Sequence, residues 1–426
     1  MIAGDTEKIP AGHSENRTTQ TIIRPMILPS ERATNFVYAI RNVVQAAEAL
    51  ERRGRKVIHL NIGDPQSFGF RPPAEIIEAV DRAIRNKFTG YSHSAGLLEG
   101  REAVAQYASA LGGAETSPDD VLLTSGASEA ADLLLTALVN PGDEVLLPAP
   151  GYPIYSAILS KLTVKARYYN LNHKSNWQPS LDEVSSLIND RTRAIVLINP
   201  SNPTGAITAD ETTKALLELA AKHNLLVISD EVYRELCFEK PPTSASVLAR
   251  DADAAVVVLE SLSKTHMLSG WRVGWMRFVP SAQTRDLKSA TLRLAGGRLC
   301  SPTIAQYAIE PALLGDQRSI RKFTEEIRTR RDYAVKRVAG IEGLSCTLPD
   351  AAFYLMVHVE DMGGRTDEQF VLDLLEASNV LVVHGSGFGS DPQAGYFRLV
   401  YLGNEDVLGA AFDGIEKSLR VLAAVT

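Results

Sequence analysis

AVVVLESLSKTHMLSGWR, residues 255–272, joins an uninterrupted apolar run to a lysine set among serines, with an arginine eight residues beyond it. A short β-branched run without polar alternation reads as a strand buried on both faces. Working outward, similar runs recur at VLLT (121–124), EVLLPAP (144–150), KARYYNL (165–171), AIVLI (194–198), LLVI (225–228) and RVGWMRF (272–278). Helical patterns lie between several of them, SEAADLLLTALV (128–139) and ADETTKALLELAAKHN (209–224) among them. Segment 98–111 predicts a helix leading in. The pattern predicts an α/β body, a mostly parallel seven-stranded sheet with helices on both faces.

Beyond it, 316–340 predicts a long charged helix. FYLMVHV (353–359), DEQFVLDLLEAS (367–378), VLVVHG (380–385), FRLVYL (397–402) and a final amphipathic helix from 405 predict a smaller α+β domain. The expected division is a polar, partly disordered arm over 1–34, a segment 35–65 joining the small domain, a large domain over 66–310 and the small domain over 311–426.

The chain has 426 residues, 45% hydrophobic and 22% charged, which is enough apolar material for a sizeable core. A formal net charge of −7 argues against a nucleic-acid partner. The arginines of 316–340 are interleaved with Asp316, Glu325, Glu326 and Asp332, so that helix reads as a solvated face. No apolar run reaches the ~18 residues of a membrane span, and the first thirty residues contain no apolar signal core. Three widely spaced cysteines, Cys237, Cys300 and Cys346, form no metal or disulfide motif and fit a reducing cytoplasm.

In open parallel sheets, ligands collect at the carboxyl ends of the strands. Four polar clusters fall there: SGASEA (125–130), NPSNPTG (199–205), SDEVY (229–233) and ESLSK (260–264). The first is a strand–turn–helix junction whose N–H groups at Gly126, Ala127 and Ser128 suit an anion. GASEA also comes close to the hydrolase GxSxG elbow at Ser128. In the second cluster, Asn-Pro pairs stiffen a loop that offers Asn202 to a planar polar ligand. Asp230 is either a helix cap or the partner of a cationic ring nitrogen.

Lys264 follows a buried strand into the same crevice, where desolvation and Arg272 would lower its pKa and make it a nucleophile toward a carbonyl. Ser261, Ser263 and Arg272 complete an anion site with the helix start. A ligand with a phosphate, an aldehyde and a basic ring is required, and pyridoxal 5′-phosphate has all three. The glycine-rich GSGFGS (385–390) falls short of a dinucleotide fingerprint.

SLSKTHMLSGWRVGW, NPSNPTG, SDEVY and FRLVYL together resemble the class I aminotransferases of pyridoxal-phosphate fold type I, from about residue 35 onward. HLNIGDPQSFGF (59–70), RLCSPTIAQ (298–306) and NFVYAIRN (35–42) are most similar to alanine aminotransferases. GYPIY (151–155) is similar also to the diaminopimelate and aspartate branches. The resemblance implies that Lys264 binds the cofactor aldehyde and shuttles a proton, that Asp230 pairs with the ring nitrogen, and that Tyr233 and Asn202 bond the ring hydroxyl. It implies that Tyr152 stacks on the ring and that Gly126, Ala127, Ser128, Ser261, Ser263 and Arg272 hold the phosphate. Tyr91 matches a tyrosine that reaches the phosphate of a neighbouring subunit, which implies a homodimer. Arg398 matches the fork for the substrate α-carboxylate, with Gly63 and Asn202 beside it. Tyr38 matches a residue of the partner's arm that covers the site. Arg41 reads either as a contact for the distal carboxylate of glutamate or as a surface arginine. His266 follows the lysine where many relatives carry Tyr or Phe, and it receives no catalytic role.

The expected activity is ping-pong transfer between alanine/pyruvate and glutamate/2-oxoglutarate, with amino acid and 2-oxo acid substrates and neither a nucleic-acid nor a membrane partner. The rivals are a β- or γ-eliminating lyase on the same cofactor, an aminotransferase of aspartate, aromatic or diaminopimelate type, and a serine hydrolase at Ser128. A regulator of this fold would need a basic DNA-binding domain ahead of residue 35.

Overall fold

The structure, a computed structural model, describes residues 27–34 and 41–423. Its strands are β1 (Ile58–His59), β2 (Val121–Ser125), β3 (Glu144–Ala149), β4 (Lys165–Asn172), β5 (Gln178–Pro179), β6 (Thr192–Ile198), β7 (Leu226–Asp230), β8 (Val256–Ser261), β9 (Val273–Phe278), β10 (Leu344–Cys346), β11 (Tyr354–Val359), β12 (Val380–Leu381), β13 (Val383–His384) and β14 (Tyr396–Val400). The large sheet has the order β2-β9-β8-β7-β6-β3-β4-β5. Strands β4, β3, β6, β7 and β8 run parallel, and β9 runs antiparallel to both β8 and β2.

All seven apolar runs are strands of this sheet, and an eighth, β5, pairs antiparallel with β4 at the edge. Two residues long and half proline, β5 has no apolar run to announce it.

Strands β7 and β8 are buried along their whole length, which explains their unbroken apolar sequence. Side chains alternate between two layers. Ile228, Val257 and Leu259 pack with Leu134, Leu135 and Ile158 of the helices Gly126–Leu138 and Ile154–Leu162. Val227, Val256 and Val258 pack on the opposite face with Leu216, Leu217 and Ala249 of the helices Asp210–Lys222 and Ala245–Ala252. Beneath the sheet edge, Glu260 accepts bonds from Arg277 Nε at 2.6 Å and Trp275 Nε1 at 2.9 Å, a fully buried ion pair.

The C-terminal part is a sheet of order β10-β11-β14-β13, covered by the helices Arg318–Ala339, Asp367–Ser378 and Glu405–Ala423. Its core holds Phe323, Ile327, Phe370, Leu374 and Phe412, and takes in Val43, Ala47 and Leu50 of the helix Arg41–Arg52. β1 pairs parallel with β12, Ile58 opposite Val380. Among the described residues no helix is long and apolar enough to cross a membrane, and no cluster of His, Cys, Asp and Glu could hold a metal.

Candidate active site

The carboxyl ends of β2, β6, β7 and β8 open onto one cavity of about 370 Å³, in the size range of small-molecule sites. Of the residues singled out in the sequence, it is lined by Gly63, Ala127, Ser128, Tyr152, Asn202, Asp230, Tyr233, Ser261, Ser263, Lys264, Arg272 and Arg398. Four strand ends, spread along the chain from Ser125 to Ser261, thus deliver their polar clusters to one place.

One corner is built for an anion. β2 ends at Ser125 and a helix starts at Gly126, whose φ of +76° few other residues adopt without strain. A methyl group on Gly126 would stand 2.5 Å from Arg272 Nη2, so the absence of a side chain lets the guanidinium reach the helix start. Arg272 donates to the Ser269 carbonyl at 2.9 Å and the Ser125 carbonyl at 3.3 Å. Ser261 and Ser263, bridged by a 3.3 Å bond from Ser263 N–H to Ser261 Oγ, face the same corner. Behind it Glu129 accepts from Ser125 N–H at 2.6 Å and pairs with Arg298 at 2.9 Å, which fixes the first turn of the helix.

Lys264 Nζ donates to the Gly63 carbonyl at 2.6 Å. Burial lowers its pKa to about 8, helped by the charges of Arg398 and Arg272 and opposed by Asp64. Asp230 is buried at the end of β7, and burial raises its pKa to about 6. Tyr155 OH donates to Asp230 Oδ2 at 2.8 Å and Val232 N–H to Oδ1 at 3.3 Å, both holding it toward the charged form.

Opposite stands Arg398 on β14, also buried. It donates to Asn202 Oδ1 at 3.0 Å and to the Asn61 carbonyl at 2.6 Å. The rings of Tyr354 and Phe388 each lie 4.6 Å from its guanidinium carbon. Tyr354 OH also bonds Tyr233 OH at 2.7 Å, and a side chain at Gly63 would collide with that hydroxyl. In NPSNPTG, Asn199 ties its own loop to Thr208 through both amide atoms, at 3.0 and 3.1 Å, while Asn202 faces the cavity.

Other sequence candidates lie elsewhere. Tyr91 is 84% exposed and does not line the cavity. Tyr38 lies outside the described residues, and of Arg41 only the backbone is described, at the start of its helix. His266 is buried under the loop, bonded to Thr265 Oγ1 at 2.8 Å and the Ala312 carbonyl at 2.9 Å, and burial lowers its pKa to about 4. Ser128 faces the cavity, but among the described residues no histidine lines it to serve as the base of a hydrolase.

The residues missed in the sequence are aromatic or backbone contacts. Tyr155 sits one helical turn after Tyr152 in the quoted GYPIY, a spacing that could have found it. Tyr354, Phe388 and the Asn61 carbonyl carry no such signal.

This donor set fits pyridoxal 5′-phosphate. A side-chain-free helix start with an arginine and two serines suits the phosphate, a partly neutral amine suits the aldehyde, and a buried carboxylate suits a protonated ring nitrogen.

The family model for aminotransferase class I and II matches residues 55–415. The glutamate-pyruvate aminotransferase AlaA of Escherichia coli K12 is 36% identical over 386 residues, 88% of this chain and 94% of the relative. An alanine aminotransferase of Mycobacterium tuberculosis H37Rv is 35% identical over 392 residues, 90% of each chain. The solved structure of an alanine aminotransferase from Pyrococcus furiosus superposes with a TM-score of 0.90 at 40% identity, covering 92% of this chain and all of that one. With these matches across a site whose residues suit the cofactor, the chain belongs to the class I and II aminotransferases, enzymes that move amino groups with pyridoxal 5′-phosphate.

Proposed function

We propose that this aminotransferase exchanges an amino group between alanine and 2-oxoglutarate, giving pyruvate and glutamate. The observation that carries the reading is the buried Arg398 guanidinium facing the same cavity as the Lys264 amine. A desolvated arginine fork binds a carboxylate in its plane, and both substrates carry one beside the reacting carbon. The choice of alanine and glutamate is supported by the names of the relatives.

Bound pyridoxal phosphate supplies an aldehyde that condenses with amines and a ring that withdraws electrons from the bond broken at Cα. Gly126, Ala127, Ser128, Ser261, Ser263 and Arg272 hold its phosphate. Asp230 keeps a proton on the ring nitrogen, Tyr233 and Asn202 bond the ring hydroxyl, and Tyr152 covers the ring face. Lys264 binds the aldehyde and moves the proton at the substrate Cα. Arg398, with Gly63 and Asn202, orients the α-carboxylate.

We infer a homodimer in which Tyr91 and Tyr38 serve the partner's site and Arg41 meets the distal carboxylate of glutamate. Tyr91 stands exposed, and Phe88, Leu98 and Leu299 are about half exposed, large apolar side chains that a contact with a second copy would cover. We read 66–310 and 311–426 as two domains, with 35–65 joining the second, supported by the packing of the helix Arg41–Arg52 and β1 on C-terminal elements. Three free cysteines support a cytoplasmic setting.

The test is a donor-by-acceptor screen on purified protein. Alanine with 2-oxoglutarate is expected to give pyruvate and glutamate one for one. Ammonia release from a substrate with a leaving group, with no need for a 2-oxo acid, would assign a β- or γ-eliminating lyase instead. A preference for aspartate, aromatic or diaminopimelate donors would move the substrate assignment.

A further inference from the structure

The glycine-rich stretch 385–390 resembles no complete nucleotide motif, and the structure gives it another use. It is a short strap, a single 3-10 turn Gly385–Phe388 closed by Gly389 at φ +90°. The strap is fastened at one end by Asp367, the first residue of the helix Asp367–Ser378. Its carboxylate accepts from Ser386 N–H at 2.6 Å and Ser386 Oγ at 2.7 Å, and is fully buried in doing so. His384 Nδ1 accepts from Gly387 N–H at 3.1 Å and lies 2.8 Å from Ser386 Oγ. At the other end the Phe388 carbonyl accepts from Gly151 N–H at 2.8 Å, beside Tyr152.

The glycines are needed for this seat. Side-chain carbons at Gly385 and Gly389 would stand 2.7 Å from Tyr396 Cβ and 3.1 Å from Tyr168 Cε1. What the strap delivers is the Phe388 ring against Arg398, 4.6 Å from the guanidinium carbon, as Tyr354 is. Phe388 does not line the substrate cavity but a second one of about 270 Å³ beside it, so it meets Arg398 from outside the cavity. A cation held by two rings in a water-poor site keeps its hydrogen-bonding edge for a carboxylate and has few other orientations.

We propose that Phe388 is a positioning residue for substrate carboxylates, acting through Arg398, and that the Asp367–Ser386 latch sets its place. The inference rests on the reading of Arg398 as the carboxylate fork. Because Arg398 would bind a carboxylate present in both half-reactions, loss of its positioning should raise KM for the amino acid and the 2-oxo acid alike. It should leave the proton transfer, and so kcat, nearly untouched.

The experiment uses the cofactor-loaded enzyme. Phe388→Leu is expected to raise both KM values about tenfold, the range of one desolvated cation–π contact, with kcat changed less than about threefold. The dissociation constant of a non-reacting monocarboxylate such as acetate should rise in parallel, while the visible spectrum of the bound cofactor stays the same. Phe388→Tyr, which restores a ring, is expected to recover most of the loss. Ser386→Ala and Asp367→Asn should reproduce the KM effect in smaller measure. If Phe388→Leu leaves both KM values and acetate binding unchanged while Arg398→Lys raises them, Phe388 is packing alone and the inference falls with the carboxylate reading intact. If Arg398→Lys raises neither, the carboxylate reading itself falls. If the latch variants lower the melting temperature without moving KM, the latch has no part in positioning.

Discussion

Gly274 lies directly behind Gly126: a methyl group on Gly274 would stand 2.5 Å from the Gly126 carbonyl carbon and 2.6 Å from Ala127 N. Gly274 belongs to β9 and Gly126 follows the last residue of β2, and the two strands pair there through Ser125 and Val273. Their contact seats the helix start against the sheet, beside the Arg272 guanidinium. Gly274→Ala must push that turn outward. The expected result is cofactor affinity reduced tenfold or more, with the apoprotein destabilised by about 1–3 kcal/mol. Fluorescence titration with pyridoxal phosphate and urea unfolding would measure the two. Unaltered affinity would show that the turn shifts without disturbing the anion site.

The Lys264 amine, brought down to about 8, is protonated and unreactive at lower pH. Capture of pyridoxal phosphate by apoprotein should therefore accelerate close to tenfold per pH unit below 8 and level off above it. Stopped-flow absorbance would follow this, and borohydride reduction followed by peptide mapping should label Lys264. A flat profile between pH 6.5 and 9 would contradict the lowered pKa. Lys264→Ala should abolish the label and lower the transfer rate by at least ~10³-fold.

Asp230 gives a test of opposite character. Its folded pKa is raised, so the stability linked to its neutral form is complete below the unfolded value near 3.8 and is lost as pH rises through about 6. Apoprotein with Asp230→Asn should be more stable than wild type at pH 8, by about 2–3 kcal/mol at most, and equal to it near pH 4. With cofactor bound, the same change should cost ~10²–10⁴ in kcat, because an amide cannot hold the proton on the ring nitrogen. Urea melts across pH provide the first measurement. A destabilised Asp230→Asn apoprotein at pH 8 would show that Tyr155 and Val232 outweigh burial.

Glu260 and Arg277 form a buried pair with Trp275 on the same carboxylate oxygen. Glu260→Ala strands a guanidinium and an indole N–H inside the sheet. The expected loss is about 3–5 kcal/mol in urea unfolding, and pairing it with Arg277→Met should restore part of it. A loss under 1 kcal/mol would mean that water reaches Arg277.

The large sheet was readable because strands buried on both faces are mostly apolar until near their ends. The polar residues at or just past those ends, Ser125, Asn199, Asp230 and Ser261, therefore stood out. That logic reaches side chains released from strands and stops there. Tyr155, Tyr354 and Phe388 look in sequence like core aromatics, and they are core aromatics whose hydroxyls or ring faces touch the site. The carbonyls of Asn61 and Gly63 are invisible to any reading of side chains, although they take bonds from Arg398 and Lys264. β5 escaped because an edge pair of two residues needs no apolar pattern. Apart from the family resemblance, Arg398 could be suspected only from its apolar neighbours, since an arginine in a strand more often faces solvent.

Strand β9 runs against its neighbours, so it is its beginning, not its end, that comes to the ligand edge. This return journey turns a span of eight residues between Lys264 and Arg272 into a hairpin whose two shoulders, one amine and one guanidinium, face one cavity. The length of that hairpin acts as a ruler: a single inserted residue would leave amine and guanidinium each intact and the distance between them wrong.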